Sequence, residues 1–157
     1  MNRYYFDSSG LVKLYVTEPG SQWINTILSY TTYGSLDTIL MAKIGLVETA
    51  AAISKHERMK KIALAQRDLL YQKLLYDTRN RLTMIAESDI IILLAASLTQ
   101  RHSLRGYDAV HLATALEINR GFIVNRLSPL TFVSADDKLC QSAIVEGLAT
   151  ENPNNHP

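Results

Sequence analysis

Short runs of β-forming residues alternate with longer segments of helical periodicity along this chain, and no other feature restricts its fold as strongly. The run Arg3-Tyr4-Tyr5-Phe6 predicts an opening strand. Further strands are expected within 33–41 and at 82–86, 130–134 and 148–150. The segments with helical spacing are 22–30, 42–55, 59–76, 87–101, 107–119 and 136–146. This alternation predicts an α/β fold in which helices cover both faces of a parallel sheet.

The domain organisation follows from what the sequence lacks. It contains no internal repeat, no low-complexity stretch and no linker. We therefore expect a single domain over residues 1–151, followed by a loose polar tail at 152–157.

Charge and cysteine content narrow the functional classes. With 16 Lys and Arg against 15 Asp and Glu, the net charge of +1 argues against a general electrostatic binder of nucleic acids. Cys140 is the only cysteine, so no internal disulfide can form and a cytoplasmic location is expected. The apolar run at 90–96 is too short to span a bilayer, and charged residues near the start argue against a secretory signal.

Three aspartates lie at predicted strand ends or helix starts. Asp7 follows the first strand, Asp136 follows the strand at 130–134, and Asp108 lies in the first turn of the helix at 107–119. Ligands of open α/β sheets bind beyond the carboxyl ends of the strands. Taken singly, each aspartate also fits a helix cap or a first-turn acid. Only as a group would they indicate a site.

A fourth acid, Glu48, lies close to the predicted buried face of its helix. Its neighbours on that face are Ile44 and Ala51. An ionised carboxylate beside a core is costly unless it is paired or bound to a metal. Pairing with Lys43 or Lys55 is the ordinary explanation, and the spacing leaves both possibilities open.

If these four acids converge in the fold, they require a cation. Carboxylates about 4 Å apart repel by about 4 kcal/mol per pair at an effective dielectric constant of about 20. Oxygen ligands select hard ions, so Mg²⁺ or Mn²⁺ is expected and zinc is not. Such ions can activate water and stabilise the leaving oxygen of a phosphodiester.

The sequence resembles the PIN-domain family in four blocks that occur in the family's order. These blocks are 5–15 (YFDSSGLVKLY), 46–48 (LVE), 104–115 (LRGYDAVHLATA) and 131–136 (TFVSAD). Together they span essentially the whole chain, and the last two are the most distinctive. Within the family, the chain resembles the VapC-type ribonuclease toxins of toxin–antitoxin pairs.

This resemblance implies a three-layer α/β/α sandwich with a mainly parallel central sheet, and an endoribonuclease that hydrolyses RNA through a metal-activated water. It implies a Mg²⁺ or Mn²⁺ cofactor, and it assigns metal binding and catalysis to Asp7, Glu48, Asp108 and Asp136. Ser9 and Ser134 match hydroxyl positions that orient the carboxylates or a metal-bound water. The products would carry a 5′-phosphate and a 3′-hydroxyl.

The resemblance also implies partners. A small antitoxin would cover an apolar groove, and a homodimer is an equally weighted use of such a surface. Leu11, Leu14 and Tyr15, together with the leucines and tyrosines of 59–76, are expected to supply the apolar surface.

Two residues near the acids have alternative roles. Asp137 could replace Asp136 as the ligand, but residues 134–137 fit a capping box, so we assign the metal to Asp136 and the cap to Asp137. His111 follows Asp108 by nearly one helical turn. We expect it to be a structural histidine, because the sequence offers no evident acidic partner to orient it.

Two other functions compete with the ribonuclease. A haloacid-dehalogenase-like phosphatase also has an aspartate after its first strand, but it needs a second aspartate two residues later, where this chain has Ser9. A non-catalytic PIN module that binds RNA or protein would be favoured by the loss of an acid, and all four are present. Mg²⁺-dependent RNA cleavage that EDTA abolishes distinguishes these alternatives.

Overall fold

The computed structural model describes residues 2–32 and 37–156, and this part of the chain forms a five-stranded parallel sheet. The strands are β1 (Arg3–Phe6), β2 (Thr38–Ala42), β3 (Leu82–Ile85), β4 (Thr131–Val133) and β5 (Ala149–Glu151). The order across the sheet is β3-β2-β1-β4-β5, and each neighbouring pair is parallel. The predicted α/β fold with a parallel sheet is confirmed. Residues 33–36, where a strand was also considered, lie outside the described residues.

Helices cover both faces of this sheet. They are α1 (Ser8–Leu11), α2 (Ser21–Thr32), α3 (Ile44–Arg58), α4 (Leu64–Asn80), α5 (Asp89–Arg101), α6 (Gly106–Val124) and α7 (Asp137–Val145), with 3-10 turns at Val12–Leu14 and Pro153–Asn155. Alternate strand residues point to opposite layers. Tyr5, Leu40 and Phe132 pack with the buried residues of α5, α6 and α7, while Phe6, Met41 and Val133 pack with those of α1 to α4. The fold is therefore the expected three-layer α/β/α sandwich.

The strand order reverses at β1. From β1 the chain continues to β2 and β3 on one side of it, and it later returns to place β4 and β5 on the other side. In open α/β sheets, this reversal creates a crevice at the carboxyl edge, between β1 and β4 here. Across the described residues, no helix is long and apolar enough to cross a membrane.

The helix predicted at 59–76 begins later than expected. Helix α3 ends at Arg58, and Lys60 follows in the left-handed region with a φ of 56°. The amide of Lys61 donates to the carbonyl of His56 at 2.9 Å, which closes the helix end as a Schellman motif does. The chain then needs several residues before α4 starts at Leu64.

The buried face of α3 also differs from the prediction. Ile44 and Ala51 were expected on it, but Gly45, Thr49 and Ile53 are the buried residues, and Ala51 is exposed. The helix packs mainly against α1 and α4, so the face that was predicted to be buried is turned partly toward solvent. Glu48 consequently lies at the margin of the core, with 22% of its side chain exposed.

The segment 152–157 was expected to be a loose tail, and residues 152–156 are instead packed on the domain. Asn152 and Pro153 are buried. The ring of His156 stacks on that of Trp23, with the centroids 4.3 Å apart. Pro153 lies so close to Gly20 that a side chain there would have no room, and the φ of Gly20 is +83°. The polar composition of the segment did not predict these contacts. Ring faces and amide groups make them, rather than the aliphatic side chains that usually indicate a buried segment.

The packing at Gly20 predicts a large effect of Gly20→Ala. Alanine tolerates a positive φ poorly, and its Cβ would overlap the backbone of Pro153. We expect a loss of at least about 1 kcal/mol in the free energy of unfolding, measured by urea denaturation. Gly121→Ala is the matched control, because Gly121 is inside α6 with nothing near its missing Cβ. That change should be neutral or stabilising, and equal losses in both variants would contradict the packing described.

Candidate active site

The crevice between β1 and β4 receives the side chain of Asp7, which follows β1 directly. This side chain is buried, with 4% relative exposure. Its Oδ1 accepts a hydrogen bond from the Gly10 amide at 2.8 Å, so Asp7 caps α1. Ser9 Oγ lies 2.8 Å from both carboxylate oxygens, and Ser134 Oγ donates to Oδ2 at 2.7 Å. Burial raises the pKa of Asp7, while His111, the Gly10 amide and the two hydroxyls oppose that rise.

The two serine hydroxyls connect Asp7 to the loop after β4. Ser9 Oγ accepts from the Ala135 amide at 2.9 Å, and Ser134 Oγ accepts from the Asp136 amide at 3.1 Å. Because these amides occupy acceptor positions on the oxygens, the hydroxyl hydrogens are directed at the carboxylate. The position of this loop is therefore set by Asp7.

Asp136 lies at the N-terminus of α7. Its Oδ1 accepts from the amides of Lys138 and Leu139 at 2.9 and 3.0 Å. The assignment of the cap to Asp137 is therefore wrong: Asp136 is the N-cap, and Asp137 is the first residue of the helix. The capping box would have started the helix at Ser134, but that hydroxyl is already bonded to Asp7. Asp137 instead accepts from Asn152 Nδ2 at 2.7 Å, which holds the C-terminal segment.

Asp108 faces Asp136 across a cavity of about 280 Å³. The other residues that line the cavity are Ser103, Leu104, Arg105 and Lys138. Burial is the main cause that raises the pKa of Asp108, and the charge of Asp136 adds to it. Arg105 opposes the rise through a backbone hydrogen bond and its charge, and Glu48 adds a further increase. Asp108 is thus electrostatically coupled to two of the other acids.

Glu48 has a partner that the sequence analysis missed. Its Oε2 lies 2.6 Å from Nε2 of His111, which is almost fully buried. Neither Lys43 nor Lys55 is the partner, and the expectation that His111 lacks an acidic neighbour is wrong. The signal for this contact was the spacing: His111 is three residues after Asp108 and so lies on the same side of α6. Gly45, one turn before Glu48, allows α3 to approach the histidine ring closely.

Comparisons with known proteins show the family to which this chain belongs. The PIN domain family model matches residues 4–143. This chain belongs to the PIN-domain family. The "Ribonuclease VapC45" of Mycobacterium tuberculosis (strain CDC 1551 / Oshkosh) is 34% identical over 120 residues, which are 73% of this chain and 75% of that protein.

Solved structures share the fold of this PIN domain. The crystal structure of FitAcB from Neisseria gonorrhoeae superposes with a TM-score of 0.62 at 14% identity, and covers 96% of this chain and 97% of that one. The structure of VapBC2 from Rickettsia felis bound to a promoter DNA fragment gives a TM-score of 0.61 at 18% identity, with 96% and 98% covered. At these identities the likeness shows the fold alone.

In this PIN domain Asp108 and Asp136 line one cavity, Glu48 contacts His111, and Asp7 is close enough to His111 for its charge to act on the pKa of Asp7. Among residues 2–32 and 37–156, no three His, Cys, Asp or Glu side chains are already arranged to hold a metal ion. The ligand chemistry nevertheless fits a hard divalent cation, because the acids supply only oxygen. The raised pKa values of Asp7 and Asp108 fit as well, since a cation would favour the ionised form of both.

The raised pKa of Asp108 predicts that Asp108→Asn stabilises the metal-free protein at neutral pH. The folded state holds the Asp108 proton more tightly than the unfolded chain, so stability is lost as the pH rises from the ordinary value of 3.8 through the folded pKa. Asparagine avoids this loss. Its advantage should be complete near neutral pH and should disappear in acid, as measured by urea unfolding in EDTA across the pH range.

Asp89→Asn is the control for this experiment, because Asp89 is an exposed acid in the first turn of α5. Removal of its charge should give no gain, or a loss of about 0.3–1 kcal/mol. If the two variants respond alike to pH, the proposed burial and repulsion at Asp108 are contradicted.

Proposed function

We propose that this PIN-domain protein is a divalent-metal-dependent endoribonuclease, and that it is the toxin of a toxin–antitoxin pair. The observation that supports the proposal is that Asp108 and Asp136 line one cavity, while Glu48 raises the pKa of Asp108 and contacts His111, whose charge acts on Asp7. The 34% identity to a protein named as a VapC ribonuclease supports the choice of RNA as substrate. The single cysteine favours a reducing, cytoplasmic location.

The residues that would hold Mg²⁺ or Mn²⁺ are Asp7, Glu48, Asp108 and Asp136. When bound, the ion supplies Lewis-acid stabilisation to the phosphodiester oxygens and the attacking water. The chain's own groups position these ligands: Ser9 and Ser134 hold the carboxylate of Asp7. Asp136 uses Oδ1 to cap α7, which leaves Oδ2 for the cavity it shares with Asp108.

Two positively charged side chains on the rim of this cavity favour a polyanionic substrate. Arg105 and Lys138 are exposed and line the same cavity as Asp108 and Asp136. A phosphate between these two side chains would lie beside the acids. This local positive charge would attract RNA although the net charge of the whole chain is small. In the proposed hydrolysis, water adds to phosphorus and the bond to the 3′ oxygen breaks. The leaving oxygen takes a proton, which gives a 5′-phosphate and a 3′-hydroxyl.

Substitution of the acids tests the proposed activity. Asp7→Asn, Glu48→Gln, Asp108→Asn and Asp136→Asn should each reduce cleavage of a structured RNA by roughly 100-fold or more, because metal ligands act as a unit. EDTA should abolish cleavage by the parent. Asp137→Asn is the control, since asparagine can still accept the hydrogen bond from Asn152.

Rates from purified, folded variants separate the possible outcomes. A folded variant of one acid that retains near-normal cleavage shows that this residue is not a ligand. A parent protein that binds RNA but never cleaves it with Mg²⁺ or Mn²⁺ would favour the non-catalytic PIN module.

The proposed antitoxin needs an apolar surface, and α4 offers one. Leu69 and Tyr76 are exposed on one face of this helix, and Tyr71 is exposed on another face. A groove of about 550 Å³ lies between α3 and α4, with Val47 and Tyr71 on its walls. Leu11, Leu14 and Tyr15 do not contribute, contrary to the sequence-based expectation, because they are buried in the core. Two of the fold neighbours are described as a VapBC2 structure and a toxin–antitoxin complex, which supports this kind of partner.

Co-expression with any small reading frame encoded beside this one tests the partner. We expect the two products to purify together and to leave cells growing, while the PIN domain alone arrests growth. Leu69→Lys should weaken the co-purification and restore toxicity. Val124→Lys is the matched control on α6, because Leu69 and Val124 are 71% and 72% exposed.

A homodimer is the other candidate use of this surface. A stable dimer of the isolated chain that Leu69→Lys dissociates would assign the surface to self-association. Harmless expression of an active nuclease without a co-purifying partner would contradict the toxin assignment and leave the ribonuclease assignment intact.

A further inference from the structure

Two buried polar side chains near the site are not used by the proposed chemistry. Tyr5 and His111 are 0% and 1% exposed, and both lie in the layer between the sheet and α6. A buried hydroxyl or imidazole costs free energy unless its hydrogen bonds are made. Leucine or phenylalanine would fill such positions without that requirement. The hydrogen bonds that Tyr5 and His111 make therefore indicate what these two residues do.

The bonds form a continuous chain from β2 to Glu48. The Ala42 amide donates to the Tyr5 hydroxyl at 3.2 Å, and this hydroxyl lies 3.0 Å from Nδ1 of His111. Nε2 of the same ring lies 2.6 Å from Oε2 of Glu48. An ionised carboxylate can only accept hydrogen bonds, so Nε2 must carry a proton and donate it. Whichever of the Tyr5 hydroxyl and Nδ1 donates, their hydrogen bond holds the ring from its other side.

The rings that make these bonds are held by packing. Tyr5 stacks on Phe132 with a centroid distance of 5.7 Å and an interplanar angle of 9°. The edge of His111 meets the Tyr5 ring at 70°. On the other side, a Cβ at position 45 would lie 3.1 Å from Cε1 of His111, so Gly45 makes room for the imidazole. The ring therefore has little freedom to turn away from Glu48.

We infer that Tyr5 and His111 are positioning residues that fix one oxygen of Glu48 and direct the other toward a divalent cation. Oε2 is held by the imidazole, which leaves Oε1 for the ion. Hydrogen bonds that orient a ligand typically affect metal affinity by 10- to 100-fold. The inference rests on the proposed function, because it assumes that Glu48 is a ligand.

A purely structural role makes a different prediction. If the chain of bonds only satisfies buried polar groups, its removal should lower stability and leave the affinity for metal unchanged. Tyr5→Phe separates the two roles well, because it removes one oxygen and keeps the stacked ring. Tyr15→Phe is the matched control: the Tyr15 hydroxyl is also buried, and it donates to Asp77 at 3.0 Å rather than to any of the four acids.

The experiment measures Mn²⁺ affinity by electron paramagnetic resonance of the free ion, on purified full-length protein without RNA. We expect Tyr5→Phe to weaken binding by about 10-fold and His111→Leu by up to about 100-fold. His111→Gln should recover part of the affinity, because its amide can still donate to Glu48. Tyr15→Phe should bind like the parent, although both tyrosine variants lose a buried hydrogen bond.

The outcomes separate this inference from the proposed function. If the parent binds Mn²⁺ and Asp7→Asn does not, but Tyr5→Phe and His111→Leu bind like the parent, the positioning role is wrong and the metal site stands. If the parent itself binds no Mn²⁺, both are wrong. Should His111→Leu fail to fold, the comparison of Tyr5→Phe with Tyr15→Phe decides the question alone.

Discussion

The buried carboxylate of Asp7 joins the two sides of the sheet, and the geometry of the site depends on that connection. Its oxygens accept hydrogen bonds from Gly10 in α1 and from Ser134 at the end of β4. Ser9 also donates to Asp7 and accepts from the Ala135 amide. A buried carboxylate is costly in free energy unless several donors satisfy it. A displacement of the loop after β4 would remove donors from Asp7 and is therefore unfavourable. The position of the next acid along this loop follows from the same bonds.

Two acids of the proposed metal site also have structural roles. Asp7 and Asp136 are the N-caps of α1 and α7, so the ordinary explanation for each of them holds. A cap commits one carboxylate oxygen to backbone amides and fixes the direction of the other. The same fold that uses these caps also brings Asp108 beside Asp136, where burial and like charge raise the pKa of Asp108. A cation would offset this repulsion, which links the proposed activity to an unfavourable feature of the metal-free fold.

The sequence predicts the parts of this structure that depend on local pattern. Strand ends could be located from runs of β-formers, and the position of Asp7 followed from the first of them. The spacing placed His111 on the Asp108 side of α6, but it did not identify Glu48 as its partner. That contact joins residues 63 positions apart and depends on how closely α3 approaches α6. The sequence did not predict the break at Lys60, because Met59, Lys60 and Lys61 are all good helix formers. The packing of 152–156 depends on Gly20 and Trp23, which are distant in the chain.

We propose that these carboxylates bind one or more divalent cations at the crevice between β1 and β4. Anomalous diffraction from crystals grown with Mn²⁺ tests it most directly, because the signal locates the ion without assumptions about activity. We expect an anomalous peak about 2.1 Å from oxygens of Asp7 and of at least one other acid, and no peak in crystals of Asp7→Asn. A well-ordered crevice that holds no Mn²⁺ at millimolar concentration, or a peak that persists in Asp7→Asn, would contradict it.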